Sequence, residues 1–456
     1  MIDTEALRKK VIDLAIQGKL TEQLPSDGDA ETLYAQIKKK SGFASKHEGK
    51  GKIDTKAMDF DIPQTWQMVE FGVIFDFIDY RGKTPNKISE GVFLITASNI
   101  KHGFMDYTRK EYISRDEYSE RQSRGITRKG DILFTTEAPM GNVAICNLDE
   151  CSCGQRVITF QPYDDNVIYP PLFMYFILSS PFQKELLDNA SGTTAKGIKA
   201  DRLKRFIIPM PPYAEQKRIA DRLEGVLAQI DIIDDLQAKY SNDLAVLKSK
   251  IIDAGIRGKL TEQLPEDGDA EDLYAQILNQ KSQLIKEGKI KKEKPLPDIA
   301  ADEIPFEIPK NWKWVRLPSL FYQVGSKNNQ IQSNQLLSEG LYPAISQGKK
   351  PIDGYTNDSD KVITDVPLIL FGDHTRNVKY IGEPFVICAD GTQLLKPIAV
   401  DCEFFYYVIW SISANITSRG YSRHFSLLKK SLFQLPPMTE QKRLVERIKS
   451  FIEQID

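Results

Sequence analysis

Two sets of loops in this 456-residue chain mix cations with small hydrogen-bonding side chains. The first set carries Arg81, Lys83 and Thr84; then Thr96, Ser98, Asn99 and Lys101; then Thr193, Thr194, Lys196 and Lys199. The second carries Ser326, Lys327 and Asn328; Ser346, Gln347, Lys349 and Lys350; His374 and Arg376; and Arg419, Tyr421, Arg423 and His424. Interspersed glycines let a backbone approach a phosphate closely, Lys and Arg neutralise it, and Asn, Ser, Thr or Arg can bond base edges. Taken singly, such a loop is ordinarily a solvated turn. Their recurrence in both halves of the chain, in different letters, favours a nucleic-acid surface.

Catalytic signals are weak by comparison. Met210-Pro211-Pro212-Tyr213 superficially resembles the Asn/Asp-Pro-Pro-Tyr motif of amino-methyltransferases, but Met210 cannot accept hydrogen bonds from a target amine. The second copy, Leu435-Pro436-Pro437-Met438, loses the aromatic as well, so both proline pairs read as helix starters. No phosphate-binding loop, nucleophile elbow or metalloprotease motif stands out, and the four histidines are scattered. Cys146, Cys151, Cys153, Cys388 and Cys402 are odd in number and lie in strand-like stretches, which suits reduced core thiols; zinc would need a second ligand pair, and no metal is expected.

The elements that must position the loops are announced by an internal repeat. Leu7–Ile37 (LRKKVIDLAIQGKLTEQLPSDGDAETLYAQI) returns as Leu247–Ile277 (LKSKIIDAGIRGKLTEQLPEDGDAEDLYAQI). Asp61-Ile62-Pro63 with Trp66 returns as Glu307-Ile308-Pro309 with Trp312, and Pro211–Arg218 returns as Pro436–Arg443. After Pro212, apolar residues at Ile219, Leu223, Val226, Ile230, Ile233, Tyr240, Leu244, Leu247, Ile251 and Ala254 alternate by four and three. That spacing predicts a coiled-coil helix from Glu215 to Ala254, about 60 Å long at 1.5 Å per residue. Leu444, Ile448, Phe451 and Ile455 repeat its beginning, while Leu7, Val11 and Leu14 repeat its end. The expectation is an antiparallel pair, the central helix against the two terminal ones, about a pseudo-twofold axis. The stretches 38–55 and 279–301 read as Lys- and Gly-rich tethers; Val92 to Ala97, Asp131 to Thr136, Val157 to Phe160 and Val362 to Phe371 read as strand-like runs, and 171–187 and 402–417 as one helical stretch in each mixed region. The fold class expected is α+β: two domains of mixed content separated by long helices. Boundaries fall at 1–55 and 213–306 for helical regions, 56–212 and 307–437 for the two mixed domains, and 438–456 for a last helix.

Composition leaves room for this. The chain is 41% apolar with 61 basic against 63 acidic residues, a formal charge of −2, which argues against a uniformly basic coat. Attraction to phosphate is a local matter. From Arg81 to Lys129 eleven bases face six acids, whereas Glu215–Asp243 holds seven acids against four bases. No apolar run is long enough to span a bilayer and the N-terminus MIDTEALRKK reads as a charged helical start, so no membrane association and a cytoplasmic location are expected.

The AIQGKLTEQ and GIRGKLTEQ segments, the DIP…W and EIP…W entries, the Gly130-Asp131-Ile132-Leu133-Phe134 strand followed by Gly141-Asn142-Val143-Ala144, and the PP…EQKR exits together resemble the specificity subunit of type I restriction-modification systems. The matches cover nearly the whole chain in order. The resemblance implies a non-catalytic subunit whose two target-recognition domains, Ile62 to Pro212 and Ile308 to Pro437, each read one half of a split double-stranded DNA site. It also implies helices that space the domains and dock two DNA adenine methyltransferase subunits, with restriction/translocase subunits as further partners. S-adenosylmethionine and ATP would then belong to the partners, with no cofactor on this chain. A non-enzymatic adaptor that dimerises through its helices is the alternative.

Overall fold

Pro211 and Pro212 lack the amide hydrogen a strand needs, so the chain leaves its sheet there and turns directly into helix at Tyr213. The same happens at Pro436 and Pro437 before the helix that starts at Met438. In the computed structural model, which describes residues 1–41, 60–82, 84–192, 196–325, 327–417 and 423–455, these two exits belong to two units, Met1–Ala238 and Lys239–Asp456.

The first unit begins with helices α1 (Thr4–Ile16) and α2 (Ala30–Lys40), capped by the carboxylates of Asp3 and Asp29. Then follow β1 (Gln67–Glu70), the single turn α3 (Phe71–Ile74), β2 (Phe75–Asp79), β3 (Val92–Ile95), β4 (Tyr112–Ile113) and α4 (Arg115–Arg121). Next are β5 (Ile132–Thr135), β6 (Val143–Ile145), β7 (Ser152–Cys153), β8 (Val157–Pro162), α5 (Pro170–Leu178), α6 (Ser180–Asp188), α7 (Ala200–Leu203), β9 (Ile207–Met210) and the long α8 (Tyr213–Ile256), whose residues from Lys239 on belong to the second unit. Three sheets result: β1-β9, β2-β8-β5-β6 and β4-β3-β7, with β3 and β7 parallel. Phe71, Phe75 and Phe160 meet at the centre of the core, Phe71 and Phe160 edge-to-face at 4.9 Å.

The second unit repeats this order strand for strand. It contains α9 (Ala270–Lys286), β10 (Lys313–Arg316), β11 (Phe321–Gln323), β12 (Tyr342–Ile345), β13 (Gly354–Thr356), β14 (Leu368–Gly372) and β15 (Val378–Ile381). It closes with β16 (Val386–Ile387), β17 (Thr392–Pro397), α10 (Cys402–Asn415), α11 (Phe425–Leu428), β18 (Leu432–Leu435) and α12 (Met438–Glu453). Its sheets are β10-β18, β11-β17-β14-β15 and β13-β12-β16, again with one parallel pair, β12 and β16. The mixed α+β class and the twofold repetition expected of the chain are therefore present in the topology itself.

Each unit joins helices to sheets by the same set of buried groups, and these explain the repeated Glu-Gln-Lys-Arg. Glu215, fully buried, accepts from the Trp66 indole at 2.9 Å and from the Gln23 amide at 3.0 Å. Glu440, also fully buried, accepts from the Trp312 indole at 2.8 Å and the Gln263 amide at 2.9 Å. The next residue ties the exit to the helical layer of the mixed domain: Gln216 accepts from the Tyr169 amide and donates to the Pro211 carbonyl, and Gln441 accepts from the Asp401 amide and donates to the Pro436 carbonyl. Arg218 grips Asp27 with both terminal nitrogens, at 3.0 and 2.6 Å, and Arg443 grips Asp267 likewise. The hydrogen bond from Arg443 holds the Asp267 carboxyl down at about 2, and Arg218 lowers Asp27 in the same way. Gly18 and Gly258, with φ of 69° and 71°, end the preceding helices where a side chain would strike Pro63 or Pro309.

Inside each unit the helices pair antiparallel. Thr4 and Arg8 of α1 bond Asp234, while the Gln23 end lies at Glu215; in the second unit Gly255 faces Ile448, while Gln263 lies at Glu440. Three expectations need correction. The apolar seam is buried at Ile219, Leu223 and Ile230, but among the described residues Tyr240 is 60% and Leu247 44% exposed, so the heptad pattern is not buried along its whole length. The tether expected at 279–301 is helical through Lys286, because Leu273 and Ile277 continue the apolar face of α9. The single helix expected at 171–187 is two, since Ser179 adopts an extended backbone and caps α6. The stretch 42–55 lies outside the described residues.

Candidate nucleic-acid interface

Parallel strands side by side send their following loops off the same edge, and in each unit that edge also receives the loop after the β5 or β14 strand. In the first unit the loop after β3 begins at Thr96, the loop after β7 carries Gly154, Gln155 and Arg156, and the loop after β5 carries Thr136 and Glu137. They are stitched by backbone bonds from Gly154 N–H to the Ile95 carbonyl and from Thr136 N–H to the Arg156 carbonyl. The result is a cleft of about 390 Å³ lined by Thr84, Thr96, Ser98 and Arg156 among others, sharing Gln155 with a second of about 480 Å³ that takes in Arg81 and Lys199. Five residues expected from separate stretches of sequence, Arg81, Thr84, Thr96, Ser98 and Lys199, are thus brought together.

Four of the cations here are paired with carboxylates in place. Glu111 takes Lys87 at 2.6 Å and Arg109 at 2.9 Å, and Glu137 takes Arg156 at 3.0 Å. Arg81 is bound to Asp79 at 2.6 Å. Bases still outnumber acids: across the two clefts Lys87, Arg109, Arg156, Arg81 and Lys199 stand against Glu111 and Glu137. Gln155 donates to the Thr84 hydroxyl at 2.5 Å, joining the two sides of the opening.

In the second unit the equivalent loops follow β12, β16 and β14. Gln347 is their hub: its amide donates to the Asp390 carbonyl at 2.6 Å, its side-chain oxygen accepts from the His374 amide at 3.0 Å, and its carbonyl accepts from Thr375 and Asn377. A cleft of about 420 Å³ beside it is lined by Lys349, Arg376, Asn377, Lys379, Trp410 and Ser413 among others. Arg376 sits at φ 61°, a left-handed backbone conformation costly for a side chain other than glycine; its guanidinium donates to the Ile416 carbonyl and its own carbonyl accepts from Ser413. Lys379 donates to the carbonyls of Ser346 and Lys350, and burial pushes its ammonium pKa below the usual lysine value.

Other expected residues are placed differently. Asn99 is fully buried: its side-chain oxygen accepts from the Thr96 amide, and its nitrogen donates to the carbonyls of Asp106 and Arg109. His424 is 1% exposed with Nδ1 2.9 Å from the Asp373 carbonyl. Both therefore shape loops from beneath and do not face outward, a correction to the expectation that they meet bases. Gln347, half-buried, acts largely the same way. Lys101 pairs with Asp106 away from the cleft, and Lys196, Asn328, Lys350 and Arg423 are exposed. Ser346 is half-buried and Lys327 lies on a one-turn helix. Lys83, Thr193, Thr194, Ser326, Arg419 and Tyr421 lie outside the described residues. Sequence reasoning missed Glu111, Glu137, Gln155, Arg156, Lys379 and Trp410. Gln155 and Arg156 carried a usable signal, a polar pair between two strand-like runs; Trp410, inside a helix, carried none.

The cysteines are all free. Cys146, Cys151, Cys153 and Cys388 are buried, and burial raises Cys153 to about 11 and Cys388 to about 12, which makes them poor nucleophiles.

The family model for the type I restriction modification DNA specificity domain matches residues 63–239 and 309–456. The chain is 25% identical over 388 residues to the specificity subunit of the type I restriction enzyme EcoAI of Escherichia coli, covering 69% of this chain and 62% of that one. To the specificity subunit of EcoEI from the same organism it is 25% identical over 377 residues, covering 68% and 61%. The chain thus spans less than two thirds of the length of these relatives. A solved structure described as the structural basis underlying complex assembly and conformational transition of the type I R-M system superposes with a TM-score of 0.59 at 16% identity, covering 87% of this chain and 92% of that one, a likeness of fold.

Proposed function

Because the chain belongs to the type I restriction-modification DNA specificity family, we propose that it is the non-catalytic, DNA-reading subunit of such a complex. Each unit's loop cluster reads one half of an asymmetric, bipartite duplex target. Helix α8, with α1 and α12, spaces the half-sites and docks two adenine methyltransferase subunits. Methylation, with S-adenosylmethionine, and cleavage, with ATP, reside on those partners and on restriction/translocase subunits, and the complex works on DNA inside the cell. Among the described residues no helix is long and apolar enough to cross a membrane.

The observation that carries this reading is the repetition of one frame with two different clefts. Both clefts hold more bases than acids on a chain whose overall charge is −2, so positive potential is concentrated where the loops converge. The side chains around them differ between units, as two unlike half-sites require.

Exchanging residues 61–212 for the corresponding domain of another family member should alter one half of the methylated sequence and leave the other intact, read by single-molecule sequencing of cellular DNA. Both halves altered, or neither, would sink the modular reading. A mobility shift with a methyltransferase partner should be sequence-dependent and weaken with salt, whereas an adaptor for proteins would show no sequence dependence.

A further inference from the structure

The two clefts differ in a way that the shared frame does not demand. In the first unit Lys87, Arg109 and Arg156 are each held by a carboxylate within 3.0 Å. In the second, Lys349, Arg376 and Lys379 line one cleft that contains no acidic residue, and among the described residues none of the three is in an ion pair. What Lys379 and Arg376 do bond is backbone carbonyl, of Ser346, Lys350 and Ile416. Those bonds fix where the cations sit; the nearby Asp353 carboxylate offsets part of the Lys379 charge without an ion pair, and no acid lines the cleft itself.

We propose that this cleft, formed by Lys349, Arg376 and Lys379 beside Trp410, is a binding site for a backbone phosphodiester of the target duplex, anchoring the second unit on DNA without reading a base. The site rests on the DNA-reading function proposed above. Three cations lining about 420 Å³, with one acid, Asp353, acting on Lys379 from outside the lining, leave a net positive field that favours an anion. Lysine is a compact point charge with donors alone, suited to phosphate and poor at telling one base from another. The half-buried indole of Trp410 gives the cleft an apolar wall of the kind a deoxyribose can lie against, and Val378 and Ala414 extend it. The first unit's clefts set Gln155, Arg156 and Glu137 together, so that donors and acceptors are both offered, as base edges require.

The test is the salt dependence of duplex binding by the full chain with its methyltransferase partner, for the wild type, Lys349→Ala and Lys349→Ala/Lys379→Ala. Each lysine lost should lower the slope of log K against log salt by about one. For the single variant that is roughly a threefold smaller loss of affinity between 50 and 200 mM salt. Cognate and non-cognate duplexes should weaken by the same factor, and the methylated sequence should not change. Removing Lys379 can loosen the loop it ties down, so Lys349→Ala, at an exposed position, decides the matter. A sequence-specific complex whose slope ignores Lys349→Ala overturns the phosphate site, and so does a changed base in one half-site. A wild-type complex with no sequence-dependent retention overturns instead the DNA reading beneath it.

Discussion

The buried junction and the exposed cleft of each unit obey opposite rules. At the junction the side chains are the same in both units: tryptophan donates to glutamate, glutamine spans strand and helix, and arginine forks onto aspartate. At the cleft the backbone frame is the same and hardly a side chain agrees. The difference follows from burial. A fully buried Glu215 or Glu440 must keep all its donors, so neither it nor its tryptophan can change alone. An exposed Lys349 or Arg156 can be replaced at a cost usually within about 0.5 kcal/mol. The frame is held by its partners, and the contents of the cleft are free to diverge.

The contrast is tested most severely by removing a junction tryptophan. Trp312→Ala should destabilise the second unit by about 3–5 kcal/mol, losing buried area and leaving Glu440 short of a donor. Trp66→Ala should do the same to the first, measured by denaturant unfolding of the full chain. A loss below about 1 kcal/mol would show that the junction does not hold the frame.

Gly255→Ala comes next. A methyl there would approach Ile448 at 2.5 Å, an overpacking cost of about 1–3 kcal/mol. The aligned positions of the first unit hold Ala15 and Leu223, both fully buried in one core. Adding Ile448→Leu should therefore restore most of the loss, and failure to do so would mean that the two helix pairs are not equivalent.

Asp267→Asn should cost about 1–2 kcal/mol near neutral pH, since Arg443 remains partly solvated at 31% exposure. The Asp267 carboxyl titrates at about 2 in the folded chain against 3.8 ordinarily, so its stabilisation is complete above pH 4 and disappears as the pH falls toward 2. The asparagine variant should flatten stability over that interval, and a pH profile parallel to wild type would refute the ion pair's role. The smallest effect belongs to Gly225→Ala in α8, where no atom lies within 4 Å of the added methyl: a gain of about 0.5–1 kcal/mol in helix stability, visible as a raised unfolding midpoint. None of these variants should alter the methylated sequence, which is the prediction that ties them to the comparison.

Much of the frame was legible in the sequence because repetition and helix signals are local. The proline pairs, the acidic start at Glu215 and the 4-3 spacing place α8 to within two residues at either end. The strand-like runs around Val92, Ile132 and Val157 are strands, although the one expected from Val362 starts only at Leu368. What covers an apolar stripe is not written in its spacing, so the exposure of Tyr240 and Leu247 was not visible. Nor does a loop sequence say which polar residue turns inward. Asn99 and His424 are polar like their neighbours Ser98 and Arg423, and only the folded loops decide that the former are buried against backbone while Ser98 is half-buried and Arg423 exposed. The Glu-Gln-Lys-Arg motif was seen as a helix start; that its glutamate receives an indole depends on a contact 149 residues away in one unit and 128 in the other.

From Lys239 to Asp243 every residue of α8 is exposed, and no core includes any of them. Whole turns could be inserted or deleted there without removing a buried contact from either unit. If the chain reads two half-sites as proposed, a new separation between them is then one mutational event away, whereas a new half-site needs many coordinated replacements. On the proposed reading, target spacing and target sequence are inherited as separate characters that drift at different speeds.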